Sequence, residues 1–197
     1  MSEIVKLSEL DDTQLNQAIG VFVEGFYNTL KSFTKDKEKM HRLFQNAFDC
    51  DMTYAYLQGS EVVGFLGLAN HQKRPTKLSK ETFIEVLGGF AGKMAYKSAS
   101  AAMEKIKVHH PDEVCIDFIA AHPEHRSRGI GKKLVEYVRD NLGYRYIWLE
   151  VSSKNPRGIA FYEREGFKKV SVKTNLLVML SGFGKMITMK MEVETNQ

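Results

Sequence analysis

Little in this sequence offers a cross-link, a metal cage, a membrane anchor or a surface for a polyanion. Cys50 and Cys115 are its only cysteines. Two thiols so far apart in sequence make neither a disulfide framework nor a zinc site. None of the six histidines falls at metalloprotease or zinc-finger spacing, so no metal is expected. No apolar run approaches the ~18 residues of a membrane span. The opening Met-Ser-Glu-Ile-Val-Lys carries charge where a signal peptide needs an apolar stretch. These absences point to a reduced, cytoplasmic chain with no membrane partner. Charge of one sign is also scarce. Twenty-eight Lys and Arg against 24 Asp and Glu leave a net charge of +4, too weak to imply a nucleic-acid partner. No low-complexity linker or internal repeat divides the 197 residues, so one domain spanning 1–197 is the expectation.

Hydrophobic residues make up 43% of the chain and charged residues 26%, a balance that suits a globular core. Ile4 to Leu7 alternates as a strand does. Asp11 or Asp12 can cap a helix that carries Leu15, Ile19, Phe22, Val23 and Phe26 at helical spacing. A second helix is expected from Lys35 to Phe48. Thr53–Leu57 and Glu61–Ala69 read as two strands around the turn Gln58-Gly59-Ser60. Ser79 to Lys107 is helical in composition, but Gly88, Gly89 and Gly92 interrupt it, so a kink or two helices are expected. Val114–Ala121 and Tyr146–Val151 read as strands, with an amphipathic helix Ile130–Leu142 between them. Pro156 opens a further helix, with Asn155 as its cap. Phe167–Val172 and Met186–Val193 close the chain as strands, separated by an irregular apolar stretch, Leu176 to Gly184. Hairpins mixed with strand–helix–strand crossovers indicate an α+β or mixed-sheet α/β domain.

The chemistry concentrates between Val114 and Leu134. An apolar strand runs into the basic turn Arg126-Ser127-Arg128-Gly129-Ile130-Gly131, and a helix follows. Glycines let backbone approach a ligand closely. A helix start presents unpaired N–H groups and a partial positive charge. Arg126, Arg128, Lys132 and Lys133 add full charges, and together these make a site for a phosphate or pyrophosphate. Two familiar phosphate loops do not fit. The dinucleotide fingerprint needs a third glycine where Leu134 stands. The P-loop needs a Ser or Thr after Gly131-Lys132, where the chain has Lys133.

A third pattern does fit. Arg126-x-x-Gly129-x-Gly131, after an apolar strand ending in His122-Pro123-Glu124, resembles the acyl-CoA loop of the GNAT N-acetyltransferases. Trp148-Leu149-Glu150-Val151, Asn155, Ala160-Phe161-Tyr162-Glu163 and Gly166-Phe167 then follow in that family's order and spacing. The resemblance is strong from Val114 to Val172. It implies a mixed central sheet of about seven strands, splayed between the fourth and fifth, with acetyl-CoA as co-substrate lying in the gap.

Residue by residue, the resemblance implies that Arg126, Ser127, Arg128, Gly129, Ile130, Gly131 and Lys132 cradle the pyrophosphate, mainly through backbone amides. Ile119 and Ala121 would pair with the pantetheine arm, the backbone N–H of Ile119 would face the oxyanion, and the Asn155 side chain would touch the pantetheine. Tyr162 matches the family's general acid. A thiol has a pKa of about 8.5 and a phenol about 10, so complete proton transfer is uphill by ~2 kcal/mol. A strong hydrogen bond to the departing thiolate is enough. Two acids that interrupt apolar strands, Asp117 and Glu150, are the candidate general bases. Glu150, twelve residues before Tyr162, is slightly favoured. Cys115 is mid-strand packing rather than a nucleophile.

The acceptor is left open by the residues. Its candidate lining is Phe26, Tyr27, Phe33, the Phe83–Lys107 insertion and Leu176–Phe183, apolar enough to lean away from highly cationic amines. The insertion is read as a lid or as the surface of a homodimer. The leading expectation is acetyl transfer to a small primary amine by direct attack in a ternary complex. The alternatives are a protein or peptide amine, and a non-catalytic CoA-binding regulatory module.

Overall fold

A computed structural model describes residues 2–105, 107–173 and 184–193. Its seven strands are β1 (Ser2–Lys6), β2 (Thr53–Gln58), β3 (Glu61–Ala69), β4 (Glu113–Ala121), β5 (Tyr146–Ser152), β6 (Lys168–Lys173) and β7 (Met186–Glu192). They form one sheet in the order β1-β2-β3-β4-β5-β7-β6. All neighbours are antiparallel except β4 and β5. Helices α1 (Asp12–Leu30), α2 (Lys37–Phe44), α3 (Lys80–Leu87), α4 (Gly89–Met103), α5 (Ile130–Asn141) and α6 (Pro156–Arg164) cover it. This is the mixed α/β architecture that the element pattern indicated.

The two faces of the sheet have separate cores. Helices α1, α2 and α3 pack on one face through Ile19, Phe22, Leu43, Phe44, Phe65 and Phe83. Phe22 sits at the centre of an aromatic cluster, its ring 4.8–5.4 Å from those of Phe26, Phe44, Phe48, Phe65 and Phe118. Tilted and edge-on pairs of this kind each add ~0.5–1.5 kcal/mol beyond area burial. On the other face, α5 buries Ile130, Leu134, Val135 and Val138 against Ile116, Ile147, Leu149 and Met189. Phe161 and Tyr162 of α6 pack beside them.

Several expected boundaries move. Asp36 accepts from the amides of Glu38 and Lys39 and so caps α2, which stops at Phe44. Phe48, expected inside that helix, instead forms a β-bridge with Thr76 and joins the aromatic cluster. The insertion is two helices, broken at Gly88, whose φ of 87° only glycine adopts without strain. Phe26 and Phe33, expected at the acceptor site, are in ring contact with Phe118 and Phe83 within this core. Most of the apolar stretch Leu176–Gly184 lies outside the described residues. No helix among the described residues is long and apolar enough to cross a membrane.

Two features of β4 position the site. Its pairing with β5 runs from Glu113↔Tyr146 to Ile116↔Leu149 and then stops, although both strands continue. Beyond that point β5 takes up none of β4's hydrogen-bonding groups, and the edge is open to a ligand. On its other side the register with β3 jumps from Gly67↔Phe118 to Leu68↔Ile116. Asp117 is therefore the extra residue of a bulge, a device that re-aims side chains at the point where the strands part.

Candidate active site

A cavity of about 690 Å³ opens where β4 and β5 separate. Its lining gathers residues that are distant in sequence: Ile119 and Ala121 from β4, Arg126, Ser127 and Gly129 from the turn, Ile130, Gly131 and Lys132 from α5, and Asn155 and Tyr162 from the next crossover. Arg128 is not part of this lining. Lys133 departs from expectation. The helical turn carries it towards β2, where its Nζ donates to the Tyr56 hydroxyl at 2.9 Å, so its charge serves the sheet rather than the cavity. Sequence reasoning missed His125, Arg157, Phe161, Arg164 and Glu165, which also line the cavity.

The local chain explains the anion-binding end. Gly129 stands at the N-cap of α5 with φ 78° and ψ 6°, and no side chain caps that helix. By contrast Asp11, Asp36, Ser79 and Asn155 cap α1, α2, α3 and α6. The first-turn amides of α5 therefore remain as donors at the cavity, with the positive end of the helix dipole behind them. A Cβ on Gly131 would stand 3.3 Å from the Phe161 ring, so glycine there keeps helix and ring in close contact. Ser127 is the only non-glycine residue with positive φ among the described residues, at 64°. Arg157 donates from Nη2 to Ser127 Oγ at 3.0 Å and ties that strained turn to α6. Arg126, Lys132, Arg157 and Arg164 supply positive charge to the same lining. Donors, dipole and cations together fit a diphosphate. Asn155 is already a cap, its Oδ1 accepting from the Gly158 amide at 2.9 Å, which leaves Nδ2 for a ligand.

Tyr162 lines the cavity, partly buried against the α5-side core. Burial pushes its phenol well above the ordinary tyrosine value, and the nearby Cys115 thiol adds to the effect. The proton therefore stays on the oxygen at neutral pH, where it can be donated in a hydrogen bond.

A second, smaller cavity has a volume of about 140 Å³. Asp117 and Glu150 both line it, with Arg74, Lys107, Met103, Phe118 and Met186. The two candidate bases are not equivalent. Asp117 Oδ2 lies 2.8 Å from Arg74 Nε, and both side chains are buried (7% and 5% exposed). The contact is short in distance but poor in angle, for neither atom completes a hydrogen bond. Desolvation raises the Asp117 carboxyl above the usual carboxylate range, opposed by the charges of Arg74 and Lys107 and by the thiol hydrogen bond from Cys115. Glu150 is more open, at 18% exposure. Its Oε2 accepts from Lys107 Nζ at 2.6 Å, and Lys173 Nζ lies 4.0 Å from Oε1. Cys115 is buried, and desolvation followed by the charge of Asp117 raises its thiol well above the ordinary value. That is the setting of an inert thiol, not a nucleophile. No group of three or more metal-ligating side chains is assembled among the described residues.

The sheet gap thus separates a phenol on one face from a carboxylate on the other. One group is by its chemistry a proton donor and the other a proton acceptor, and they line separate cavities.

Comparison with known proteins bears on the family and the fold. Residues 22–167 match the model of the acetyltransferase (GNAT) family. A [ribosomal protein bS18]-alanine N-acetyltransferase of Salmonella typhimurium is 33% identical over 85 residues, covering 42% of this chain and 57% of the relative. The chain thus spans little more than half the length of such curated relatives. Among solved structures, the ribosomal-protein-S18-alanine N-acetyltransferase of Escherichia coli superposes with a TM-score of 0.56 at 18% identity, over all of this chain and 97% of the other. An N-acetyltransferase from Staphylococcus aureus gives 0.58 at 13% identity, over 95% and 99% of the two chains. At such identities the structural likeness speaks for the fold.

Proposed function

Because the chain belongs to the GNAT acetyltransferase family, we propose that it moves the acetyl group of acetyl-CoA to a primary amine by direct attack in a ternary complex. The observation that carries this reading is the single cavity joining the uncapped start of α5, the open edge of β4 and the Tyr162 phenol. When bound, acetyl-CoA supplies an activated thioester. The amides of Gly129, Ile130, Gly131 and Lys132, with Arg126 and Arg157, hold the diphosphate. Ile119 and Ala121 offer backbone groups along the unpaired edge to the pantetheine, and Asn155 Nδ2 adds a donor. The Ile119 N–H stabilises negative charge as it develops on the carbonyl oxygen.

Glu150 accepts the acceptor's proton, directly or through water, because it lines the small cavity and is the more open of the two acids. Asp117 is a positioning residue: the ion pair with Arg74 fixes the bulge that turns β4 away from β5. Tyr162 donates its hydroxyl hydrogen bond to the departing sulfur.

The acceptor we favour is a small amine. Ala102 and Met103, at the C-terminal end of α4, line the 140 Å³ cavity, a volume that suits a narrow amine end. The curated relative named for the alanine of a ribosomal protein favours a second reading, a polypeptide amino terminus entering the same way. A panel of small amines and short peptides, assayed for free CoA release, tests both. Turnover of alkylamines supports the first reading and turnover of peptides alone supports the second. No release with any amine, together with no binding of acetyl-CoA, overturns the proposal.

A further inference from the structure

An amine already occupies the position that the acceptor's amine is expected to take. Lys107 is the last residue of the insertion and reaches into the small cavity, where its Nζ meets Glu150 Oε2 at 2.6 Å. Its ammonium is also close enough to Asp117 and to the Cys115 thiol for its charge to act on both. All three groups lie on β4 or β5, next to the point where those strands part. Arg74 is engaged elsewhere, with Asp117 and with the Lys105 carbonyl at 2.6 Å. Lys173, at 4.0 Å, is the other cation near Glu150 and is far more exposed, at 72%. Among the described residues only Lys107 is both a primary amine and a lining residue of the cavity.

We propose that Lys107 is an internal acceptor, acetylated on Nζ by the chain's own active site. The inference rests on the transferase reading above. Glu150 takes one proton from the Lys107 ammonium and passes it to solvent. The freed nitrogen lone pair forms a bond to the thioester carbonyl carbon, and the carbon–sulfur bond breaks. Of the amine's two remaining protons, one stays on the new amide and one ends on the departing thiol. The product side chain is neutral. It no longer pairs with Glu150, so the carboxylate is released for an external amine. In the unmodified chain, Lys107 competes with that amine for the same carboxylate.

The test uses the full-length protein with acetyl-CoA and no added amine, followed by peptide mass mapping of every lysine. Lys107 should approach one acetyl group per chain, well ahead of the exposed neighbour Lys105. The rate should be first order and independent of protein concentration, as for a reaction within one chain. Lys107→Arg should remove the modification. A second measurement needs no co-substrate: trace labelling of each lysine with acetic anhydride reads the intrinsic reactivity of its amine. Glu150→Gln removes the ion pair, so anhydride labelling of Lys107 should rise in that variant while labelling from acetyl-CoA falls. If the two labels rise and fall together, the modification is unassisted chemistry and the proposal is overturned. A chain purified with Lys107 already acetylated in the wild type but not in Glu150→Gln supports it equally. Unmodified Lys107 in a protein that turns over external amines overturns this inference and leaves the transferase reading standing. Loss of both labelling and turnover, with no acetyl-CoA binding, removes both.

Discussion

The buried pair of Arg74 and Asp117 should respond asymmetrically to loss of either partner. Both side chains are almost fully buried and lie 2.8 Å apart at the strand bulge. Removing one partner of such a pair strands the other's charge and costs ~3–5 kcal/mol. The guanidinium stays charged at any accessible pH, but burial already raises the wild-type carboxyl, so Asp117→Asn, which mimics its protonated form, should cost less than Arg74→Met at neutral pH and lose no charge pairing where the carboxyl is protonated. The carboxyl has an escape. Burial already raises it, and Arg74 is the foremost group holding it down. In Arg74→Met its folded pKa rises further above the unfolded value of about 3.9. Between those two values the native state holds a proton that the unfolded chain has lost. Stability is then fullest below the unfolded pKa and falls as pH rises towards the folded one. The penalty of Arg74→Met should therefore be smallest near pH 4 and grow towards neutrality, with a constant part from the lost hydrogen bond to the Lys105 carbonyl. The double variant should recover much of the loss. Urea unfolding followed by circular dichroism from pH 4 to 8 reads all of this. A pH-independent Arg74→Met, or an Arg74→Met that costs less than Asp117→Asn at neutral pH, would refute a desolvated pair that sets the bulge.

Three other outcomes are expected. Tyr162→Phe should lower kcat by about 10²–10⁴-fold, the range of a lost acid, with acetyl-CoA affinity retained. Because the phenol is held protonated, the wild-type kcat should show no tyrosine ionisation below about pH 10; unchanged turnover in the variant removes Tyr162 from the chemistry. Acetyl-CoA at a hundred times its Kd should add ~2.7 kcal/mol of stability, which a thermal melt reads as a rise of about 5–10 °C for a chain of this size. Arg157→Ala should weaken acetyl-CoA binding by about tenfold, the effect of losing one hydrogen bond of ~1.4 kcal/mol, with kcat intact. Adding Ser127→Gly should restore part of that affinity, since glycine adopts the left-handed turn without support; isothermal titration that shows no rescue places the role of Arg157 elsewhere.

What could be read from the sequence was whatever depends on neighbours along the chain. A cap at Asp11 or Asp12, a break in the insertion among Gly88, Gly89 and Gly92, the glycine turn before α5 and the strand–turn–helix order around it are local; the structure has them all, with Asp11 as the cap and Gly88 as the break. What was not legible depends on contacts between distant residues. Ser127 carries no mark of its left-handed backbone, because the arginine that ties it down is thirty residues away. Asp117 and Glu150 look alike in sequence, each an acid among apolar neighbours. They part company only when the loop before α3 delivers Arg74 to one and the segment after α4 delivers Lys107 to the other. Phe48 continued a plausible helical stripe, but the ring cluster around Phe22 drew it out of the helix. Lys133 had the right charge beside the right turn, and one further step of helical rotation carried it to Tyr56.

The unfinished ladder between β4 and β5 has a mechanical consequence. Only four aligned residue pairs, at one end, stitch those two strands together. Beyond them the backbone resembles a partly closed zip, with loose teeth on either side. On the binding mode proposed above, the co-substrate completes the closure, so the grip on it and the rigidity of the surrounding walls become one property of the fold.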